Sequence, residues 1–333
     1  MSGYYLLKNG EYAYNKSYSV GYDFGSVKRL DRYDMGALST LYICFALKKH
    51  DSDFIKAYFD SLKWYREIYM ISAEGARNHG LLNVPTDEFF DAKHYIPQDL
   101  AEQRKIANFM IALERRIEAQ QSLVDNLKKY KRGLLNKVFS NTDEKIYPTV
   151  YLSEVADFLQ GLTYSPSDVA NAGHLVLRSS NIQNGTLSFD DCVYVDKSIP
   201  ESLQVKCADV IMCVRNGSKS LVGKTALIPI DMPKTTWGAF MMIVRSKLND
   251  TYIFHYLNSQ MFFSQVFKDT GTATINQITK GILNECRLPL PPVEERKKIS
   301  KMLSTFDAKI YNAERTLYAL METRKALLQQ LFI

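Results

Sequence analysis

Short polar segments between the apolar runs of this chain carry side chains that can contact nucleic acid. Arg and Lys can donate to O6 and N7 of guanine, Asn and Gln can bond adenine through two atoms, and Ser, Thr and Lys can hold phosphates. In the C-terminal half the candidates are Arg178, Ser179, Asn181, Arg215, Asn216, Lys219, Lys224, Thr272, Thr274 and Asn276. In the N-terminal half they are Asn15, Lys16, Arg77, Asn78 and His79. Ordinary turn chemistry is the simpler explanation of any single residue, so the hypothesis depends on their occurrence in two related segments.

The motifs that would indicate catalysis are incomplete. Residues 218–225 nearly match a phosphate-binding loop, but Ser218 stands where glycine is required. The segment that follows reads as a strand ended by Pro229, whereas that loop should open a helix, so a hairpin with a basic tip explains it better. The histidines lack metal-ligand spacing, and the motifs of DNA amino methyltransferases are missing. We therefore predict no catalytic residue, no metal site and no bound cofactor in this chain.

Length and composition fit a folded protein of about two domains. The 333 residues are 46% hydrophobic and 23% charged. No apolar run reaches the roughly 18 residues that a membrane span needs, and the first residues do not resemble a secretory signal. The five cysteines are scattered and odd in number, which favours free thiols in a reducing compartment. These features predict a cytoplasmic protein that does not associate with membranes.

The positive charge is concentrated in two segments. The chain has a net charge of +6; residues 101–139 hold 9 Lys and Arg against 4 Asp and Glu, and residues 293–333 hold 8 against 5. Such an excess can attract nucleic acid, although two solvated helices would give the same counts.

These two segments align without a gap at an offset of 193 residues, which indicates an internal duplication. Identical pairs include Glu102/Glu295, Lys105/Lys298, Ile106/Ile299, Ile117/Ile310, Leu127/Leu320, Leu134/Leu327, Leu135/Leu328 and Phe139/Phe332. Conservative pairs include Glu114/Asp307 and Lys131/Arg324.

Both segments have the heptad period of a coiled coil over about five heptads. The predicted seam comprises Ile106, Leu113, Ile117, Val124, Leu127 and Leu134 in the first segment and Ile299, Phe306, Ile310, Leu317, Leu320 and Leu327 in the second. Gln120, Lys131 and Arg324 stand at seam positions where an apolar residue is missing. At 1.5 Å per residue each helix would be roughly 60 Å long, and two matching seams predict that the helices pair. Antiparallel pairing is favoured if the intervening domain returns the chain; the alternative is two independent helices, each packed on its own domain.

A globular segment precedes each helix. Residues 148–292 read as short strands separated by turns and followed by a helix after Asp250, and residues 1–97 repeat the later part of this plan, with a strand at 37–45 and a helix at 53–59. The sequence thus predicts an α+β protein with two related small mixed α/β domains, joined by two long helices that form an antiparallel coiled coil. The predicted divisions are a first domain at 1–97, a helix at 98–140, a linker at 141–147, a second domain at 148–292 and a helix at 293–333. The first domain lacks a counterpart of roughly residues 148–200, so it is expected to be truncated at its N-terminal side.

This plan resembles the specificity (S) subunit of type I restriction–modification enzymes over nearly the whole chain. The specific part is a helix that occurs twice: it follows a proline-containing entry and ends in Leu-Leu before a Phe. It begins near Glu-Gln-Arg-Lys-Ile in the first copy and near Glu-Glu-Arg-Lys-Lys-Ile in the second. The residues that carry it are 102–106, Leu134, Leu135 and Phe139, and then 288–299, Leu327, Leu328 and Phe332.

The resemblance implies a non-catalytic, DNA-binding subunit. Each globular domain would be a target-recognition domain that reads one half of a gapped site in double-stranded DNA, and the helices would space the halves and dock modification (M) subunits. Motor-nuclease (R) subunits would complete a complex with DNA adenine methyltransferase and endonuclease activity. S-adenosylmethionine, ATP and Mg would then belong to partner subunits. A second S fragment is a further possible partner, because the first domain is short.

Two other interpretations remain open. A coiled-coil scaffold that joins proteins predicts no sequence-dependent DNA binding and indifference to changes at Arg215 or Asn216. An enzyme in its own right predicts that the purified chain alone turns over DNA with S-adenosylmethionine or magnesium.

Overall fold

The computed structural model describes residues 3–72, 82–140, 147–268 and 277–332. The chain forms two compact units: unit 1 comprises Met1–Val124 and Asn312–Ile333, and unit 2 comprises Asp125–Tyr311. In chain order, the elements up to the first long helix are β1 (Tyr4–Lys8), β2 (Tyr12–Asn15), β3 (Ser26–Arg29), β4 (Met35–Ser39), β5 (Ile43–Phe45), α1 (Ser52–Ser61), α2 (Tyr65–Ile71), α3 (Thr86–Asp91) and α4 (Leu100–Phe139).

The remaining elements run from the end of α4 to the end of the described chain. They are β6 (Thr149–Tyr151), α5 (Leu152–Val155), β7 (Ala156–Gln160), β8 (Val169–Ala170), β9 (His174–Leu177), β10 (Ile182–Gln183), β11 (Thr186–Leu187), β12 (Val193–Val195), β13 (Val210–Cys213), β14 (Thr225–Leu227), β15 (Thr235–Trp237), β16 (Met241–Ser246), α6 (Tyr252–Leu257), α7 (Gln260–Val266), α8 (Lys280–Glu285), β17 (Arg287–Pro289) and α9 (Val293–Leu331). Short 3-10 turns occur at Pro166–Asp168, Ser179–Asn181, Glu201–Leu203 and Lys219–Leu221.

Unit 1 is built on an antiparallel sheet in the order β3-β2-β5, with α1 packed on it. Tyr12 and Tyr14 are two residues apart, so both side chains point to the same face of β2, and both are fully buried there. Asp51 caps α1, since its carboxylate accepts from the backbone of Asp53 and Phe54. β1 and β4 form a separate antiparallel ribbon.

Unit 2 contains two four-stranded sheets, in the orders β14-β13-β16-β7 and β15-β9-β12-β8. β15 and β9 pair in parallel, whereas the other neighbours in these sheets are antiparallel. The residues of β13 are fully buried, because the strand is central and apolar on both faces. The predicted hairpin over residues 218–225 is confirmed, since it connects the antiparallel strands β13 and β14.

The two units share a core plan, which supports the internal duplication. The order β3-β2-β5 in unit 1 matches β14-β13-β16 in unit 2, and each third strand is followed by a buried helix. The chain also returns to the central strand in the same way: Leu82 N–H donates to Lys16 O at 2.9 Å, and Ile278 N–H donates to Val214 O at 2.7 Å. Among the described residues, unit 1 has no counterpart of the sheet β15-β9-β12-β8.

The long helices pair within each unit, and two contacts in unit 1 show that they run antiparallel. In unit 1, Gln120 on α4 donates to Ala313 O on α9 at 2.9 Å, while Glu114 on α4 accepts from Arg324 on α9 at 2.8 Å, so numbers rise along one helix as they fall along the other. In unit 2, Lys131 bonds to Asp307. The α+β class and the antiparallel helix pair are therefore confirmed, while the domain boundaries stay a prediction.

Two local expectations were wrong. The strand expected at residues 37–45 is two strands, because Ser39 turns the chain: its carbonyl accepts from Tyr42 N–H at 3.1 Å. The single helix expected after Asp250 is divided into α6 and α7, because Ser259 caps a new helix by accepting from Phe262 N–H. Asp250 precedes the N-cap, Thr251, although its carboxylate accepts from Tyr252 N–H at 3.0 Å.

Candidate nucleic-acid interface

A cleft of about 720 Å³ in unit 2 collects four of the predicted residues. Segments that follow the carboxyl ends of β7, β9, β13 and β15 line it, so residues that come after four different strands lie close together there. The lining residues are Leu162, Thr163, Tyr164, Pro166, Val169, Arg178, Ser179, Ser180, Asp191, Arg215, Asn216, Gly238, Ala239, Phe240 and Met241.

Two glycines allow these segments to meet. A Cβ placed on Gly161 would lie 2.1 Å from the carbonyl oxygen of Gly238, so no larger residue fits at Gly161 without backbone movement. The contact is completed by backbone hydrogen bonds from Leu162 N–H to Trp237 O at 2.7 Å and from Gly238 N–H to Leu177 O at 3.0 Å. The floor of the cleft is thus fixed by backbone and does not depend on flexible side chains.

Arg178 is held at one side of the cleft. Its Nη2 lies 2.7 Å from Asp191 Oδ2, and its backbone N–H donates to Asn181 Oδ1 at 2.8 Å. Asn181 is fully buried and donates to the carbonyls of Ser188 and Asp191 at 3.0 Å each. The amide of Asn181 therefore ties together the segments that carry Arg178 and its partner carboxylate.

Arg215 lies exposed against an aromatic ring. Its guanidinium carbon is 5.3 Å from the ring centroid of Phe240, and Phe240 is 59% exposed. The Phe240 carbonyl accepts from Val214 N–H at 3.0 Å and from Arg215 N–H at 3.2 Å, so backbone bonds fix one segment against the other. Within the described part of the chain, the Arg215 guanidinium has no carboxylate partner. The N–H groups of this guanidinium are therefore available to donate hydrogen bonds to a ligand.

Asn216 and Ser179 are linked side chain to side chain. Asn216 Nδ2 donates to Ser179 Oγ at 3.2 Å, and its Oδ1 accepts from Ser218 N–H at 2.9 Å. This bond joins the end of β13 to the turn that follows β9. Lys219 and Lys224 are exposed on the β13–β14 connection and do not line the cleft.

The candidates in unit 1 have an arrangement that parallels part of this site. Asn15 Oδ1 accepts from Ser17 N–H at 3.0 Å, the same turn that Asn216 makes with Ser218, and Lys16 is partly buried beside it. Arg77, Asn78, His79, Thr272, Thr274 and Asn276 lie outside the described residues. DNA contact by any of the candidates remains a prediction.

The predicted seam residues lie on the covered side of the long helices. Val124 is buried, and the other predicted seam positions are partly buried. Each polar residue at a seam position has a partner: Gln120 donates to Ala313 O, Lys131 bonds to Asp307, and Arg324 bonds to Glu114. The two ion pairs are related by the offset of 193, because Lys131 corresponds to Arg324 and Asp307 corresponds to Glu114.

A buried histidine adjoins the ion pair in unit 2. His255 Nε2 lies 3.1 Å from Ser304 Oγ, and its Nδ1 lies 3.7 Å from Asp307 Oδ2. Burial, reinforced by the positive charge of Lys131, lowers the pKa of His255 from 6.5 to about 3. Burial also raises the pKa of Asp307, although the neighbouring Lys131 ammonium acts in the opposite direction. His255 is therefore neutral at pH 7.

The structure offers no metal-binding group of three or more His, Cys, Asp or Glu among the residues it describes. In that same part of the chain, none of the helices has the length and apolar character needed to cross a membrane.

Comparison with known proteins gives a consistent family. The family model described as "Type I restriction modification DNA specificity domain" matches residues 147–321, which is more than half of the chain. The chain is 29% identical over 173 residues to the type I restriction enzyme StySPI specificity subunit of Salmonella potsdam, and 29% identical over 166 residues to the EcoKI specificity subunit of Escherichia coli (strain K12). These alignments cover 49% and 48% of this chain but only 37% and 36% of the relatives, so the chain matches little more than a third of their length.

Solved structures show the same fold. A chain from a study of complex assembly and conformational transition of the type I R-M system aligns with a TM-score of 0.62 and 16% identity, covering 99% of this chain and 83% of that one. The type I restriction-modification S subunit from M. genitalium aligns with a TM-score of 0.59 and 17% identity, covering 98% and 84%.

Proposed function

This chain belongs to the type I restriction modification DNA specificity family, and we propose that it is the subunit that recognises double-stranded DNA for such an enzyme. The observation that carries the proposal is the cleft of unit 2, where Arg178, Ser179, Arg215 and Asn216 meet at the ends of four strands. The matched family region, residues 147–321, contains all four of them.

The chemistry of the cleft suits contact with a base edge. Arg215 presents a planar guanidinium whose donors fit O6 and N7 of guanine, and no carboxylate among the described residues competes for them. Arg178 has a carboxylate partner in Asp191, so a DNA phosphate must displace Asp191 to bind it. We therefore expect Arg178 to make a weaker contact with DNA than Arg215 makes. Asn181 is buried and accepts a hydrogen bond from the Arg178 backbone N–H, so we assign it a supporting role instead of a direct contact with DNA.

The helix pair supports a second element of the proposal, which is a spacer that carries partner subunits. α4 and α9 pair in both units, antiparallel in unit 1, and their outer faces are basic and polar. We propose that these outer faces dock modification subunits, that motor-nuclease subunits complete the complex, and that a second S fragment is a further partner. S-adenosylmethionine, ATP and Mg would then be bound by partner subunits, and this chain would act in the cytoplasm without a catalytic step of its own.

The test is a binding selection with the complex. The full chain, co-expressed with its modification subunit, is purified and used to select from a library of random duplex DNA at low and moderate salt. We expect enrichment of a gapped motif, with affinity that falls steeply as salt rises because phosphate contacts release counterions. Selection of no motif at either salt concentration would overturn DNA recognition and would favour the scaffold interpretation.

A matched pair of variants locates the readout. Arg215→Ala should weaken binding to the selected motif by about 1–3 kcal/mol and relax preference at one position. Arg287→Ala is the control, because Arg287 also lies over a ring, that of Tyr151, but outside the cleft. An equal loss on all sequences for Arg215→Ala would make Arg215 a phosphate contact.

A further inference from the structure

Phe240 was not among the residues that the sequence singled out, although it is the most exposed aromatic side chain of the cleft. It follows β15, and its ring remains 59% exposed where the neighbouring Met241 is 1% exposed. This exposed ring lies beside the charged side chain of Arg215, so it is available to act on that side chain.

The backbone around Phe240 is fixed on both sides. Its carbonyl accepts two backbone hydrogen bonds, from Val214 and Arg215, and Met241 N–H donates to Gly238 O at 2.8 Å. The ring is therefore presented from a rigid turn, and its position relative to the end of β13 is set by backbone hydrogen bonds.

The contact between Phe240 and Arg215 has the geometry of a cation–π pair. The guanidinium carbon lies 5.3 Å from the ring centroid, inside the distance of about 6 Å at which a ring attracts a cation. A guanidinium that stacks on a ring keeps its edge donors free, because the ring contacts its face. A long arginine side chain without this contact would sample many rotamers and would lose entropy on binding.

We propose that Phe240 is a positioning residue that holds the guanidinium plane of Arg215 for base recognition. The inference rests on the proposed function, because it assigns to Phe240 the orientation of a side chain that reads DNA. Phe240 thus contributes to the specificity of the site through Arg215, and its own contact with DNA is not required.

The charged groups that face this pair are few. Among the described residues that line the cleft, the other charged side chains are Arg178 and Asp191, and these two bond to each other at 2.7 Å. Asp191 is thereby occupied with Arg178, so the ring of Phe240 is the contact left to orient Arg215.

The experiment measures discrimination instead of affinity alone. Phe240→Leu keeps an apolar side chain and the backbone carbonyl but removes the ring, whereas Phe240→Tyr keeps the ring. Binding of the S–M complex is measured on the selected duplex, on duplexes changed at the position that Arg215→Ala relaxes, and on unrelated duplex. We expect Phe240→Leu to reduce discrimination at that position by about 2- to 5-fold, the range of an exposed cation–π contact, while binding to unrelated duplex stays within about twofold. Phe240→Tyr should keep the discrimination.

A double variant separates positioning from direct contact. In an Arg215→Ala background, Phe240→Leu should have no further effect on discrimination, because the group that it orients is gone. A further loss there would show that Phe240 acts on DNA by itself and would overturn the inference. Phe189→Leu is the control, since Phe189 is 52% exposed in the same unit and does not line the cleft.

The outcomes distinguish the two proposals. If the unaltered complex shows no sequence preference, the proposed function fails. If it shows a preference that Arg215→Ala relaxes and Phe240→Leu leaves intact, recognition stands and the positioning role of Phe240 is wrong.

Discussion

The ring of Phe332 packs against the ring of Phe54 in unit 1, with 5.4 Å between their centroids. In unit 2, Phe139, which precedes Phe332 by 193 residues, packs against Tyr252 with a separation of 5.1 Å. Phe139 is the last residue of α4, Phe332 directly follows the last residue of α9, and each lies in the core of a unit: Phe139 is 1% exposed and Phe332 is 4% exposed. The duplication therefore repeats the anchoring of a helix end in a globular core as well as the helix itself.

This anchoring predicts selective loss of stability. Phe332→Ala should destabilise unit 1 by about 3–5 kcal/mol, because it removes a buried ring and leaves a cavity among Phe54 and Tyr58. Hydrogen exchange with mass spectrometry should show faster exchange in α1 and unchanged exchange in α6. Tyr318→Ala is the control, because Tyr318 lies on the same helix and is 67% exposed. Equal acceleration in both helices would contradict the assignment of Phe332 to the core of unit 1.

The long helices were predictable from sequence because a heptad pattern is local and repeats many times. The helix predicted at 98–140 is observed at Leu100–Phe139, and the helix predicted at 293–333 is observed at Val293–Leu331. The offset of 193 also indicated which polar residues correspond, and the structure joins them as two equivalent ion pairs.

The cleft was less predictable, because it depends on strand pairing across long separations. β9 lies beside β15 in parallel, about 60 residues away in sequence, and this pairing brings Arg178 near Phe240. An exposed Phe between Ala239 and Met241 reads as part of an apolar strand, so nothing in the local pattern separates it from the core. The break of the expected strand at Ser39 had a local signal in Ser39-Thr40, since short polar residues favour turns.

The buried His255 predicts a dependence of stability on pH. Its pKa is about 3 in the folded state and about 6.5 when the chain is unfolded, so below pH 6.5 the unfolded chain takes up a proton that the folded chain does not. The free energy of unfolding is therefore not reduced by His255 above pH 6.5. It falls by about 1.4 kcal/mol per pH unit as the pH drops from 6.5 toward 3. Asp307 offsets part of this loss at the acidic end, because its raised pKa lets the folded state bind a proton there.

The measurement is the free energy of unfolding of unit 2 within the full chain, from urea titrations at a series of pH values between 7.5 and 4.5. His255→Gln retains a hydrogen-bond donor toward Ser304 but cannot be protonated in this range, so its stability should fall less steeply with acid. Parallel curves for both proteins would show that His255 is not the group responsible.

Two glycines in unit 1 should differ in how much stability an alanine substitution costs, because one position would have backbone strain alone and the other would also have a steric clash. Gly25 and Gly21 both have positive φ angles, 76° and 83°, so alanine is strained at either position. At Gly25, however, a Cβ would also lie 2.1 Å from the carbonyl oxygen of Asn15, whereas at Gly21 it meets no atom within 4 Å. Gly21→Ala should cost about 1 kcal/mol of stability, and Gly25→Ala should cost clearly more and displace Asn15. Thermal unfolding of the two variants side by side checks this. An equal loss of stability would show that the backbone at the end of β2 moves away from the added Cβ at little cost.

The ion pair between Arg178 and Asp191 predicts how the cleft responds to removal of a negative charge. Asp191→Asn releases the Arg178 guanidinium and removes a carboxylate that would repel phosphate, so the S–M complex should bind unrelated duplex more tightly, by about 1 kcal/mol at low salt. Because the gain is electrostatic and independent of sequence, the ratio of selected to unrelated binding should fall, and the salt dependence should steepen by about one phosphate contact. Titration of the selected and unrelated duplexes at three salt concentrations measures both quantities. Asp190→Asn is the matched control, since Asp190 is exposed next to Asp191 and bonds Ser188 instead of an arginine. If Asp191→Asn weakens binding to unrelated duplex, the carboxylate is needed to hold Arg178 in place. The ion pair would then stabilise the site and would not reduce nonspecific binding to DNA.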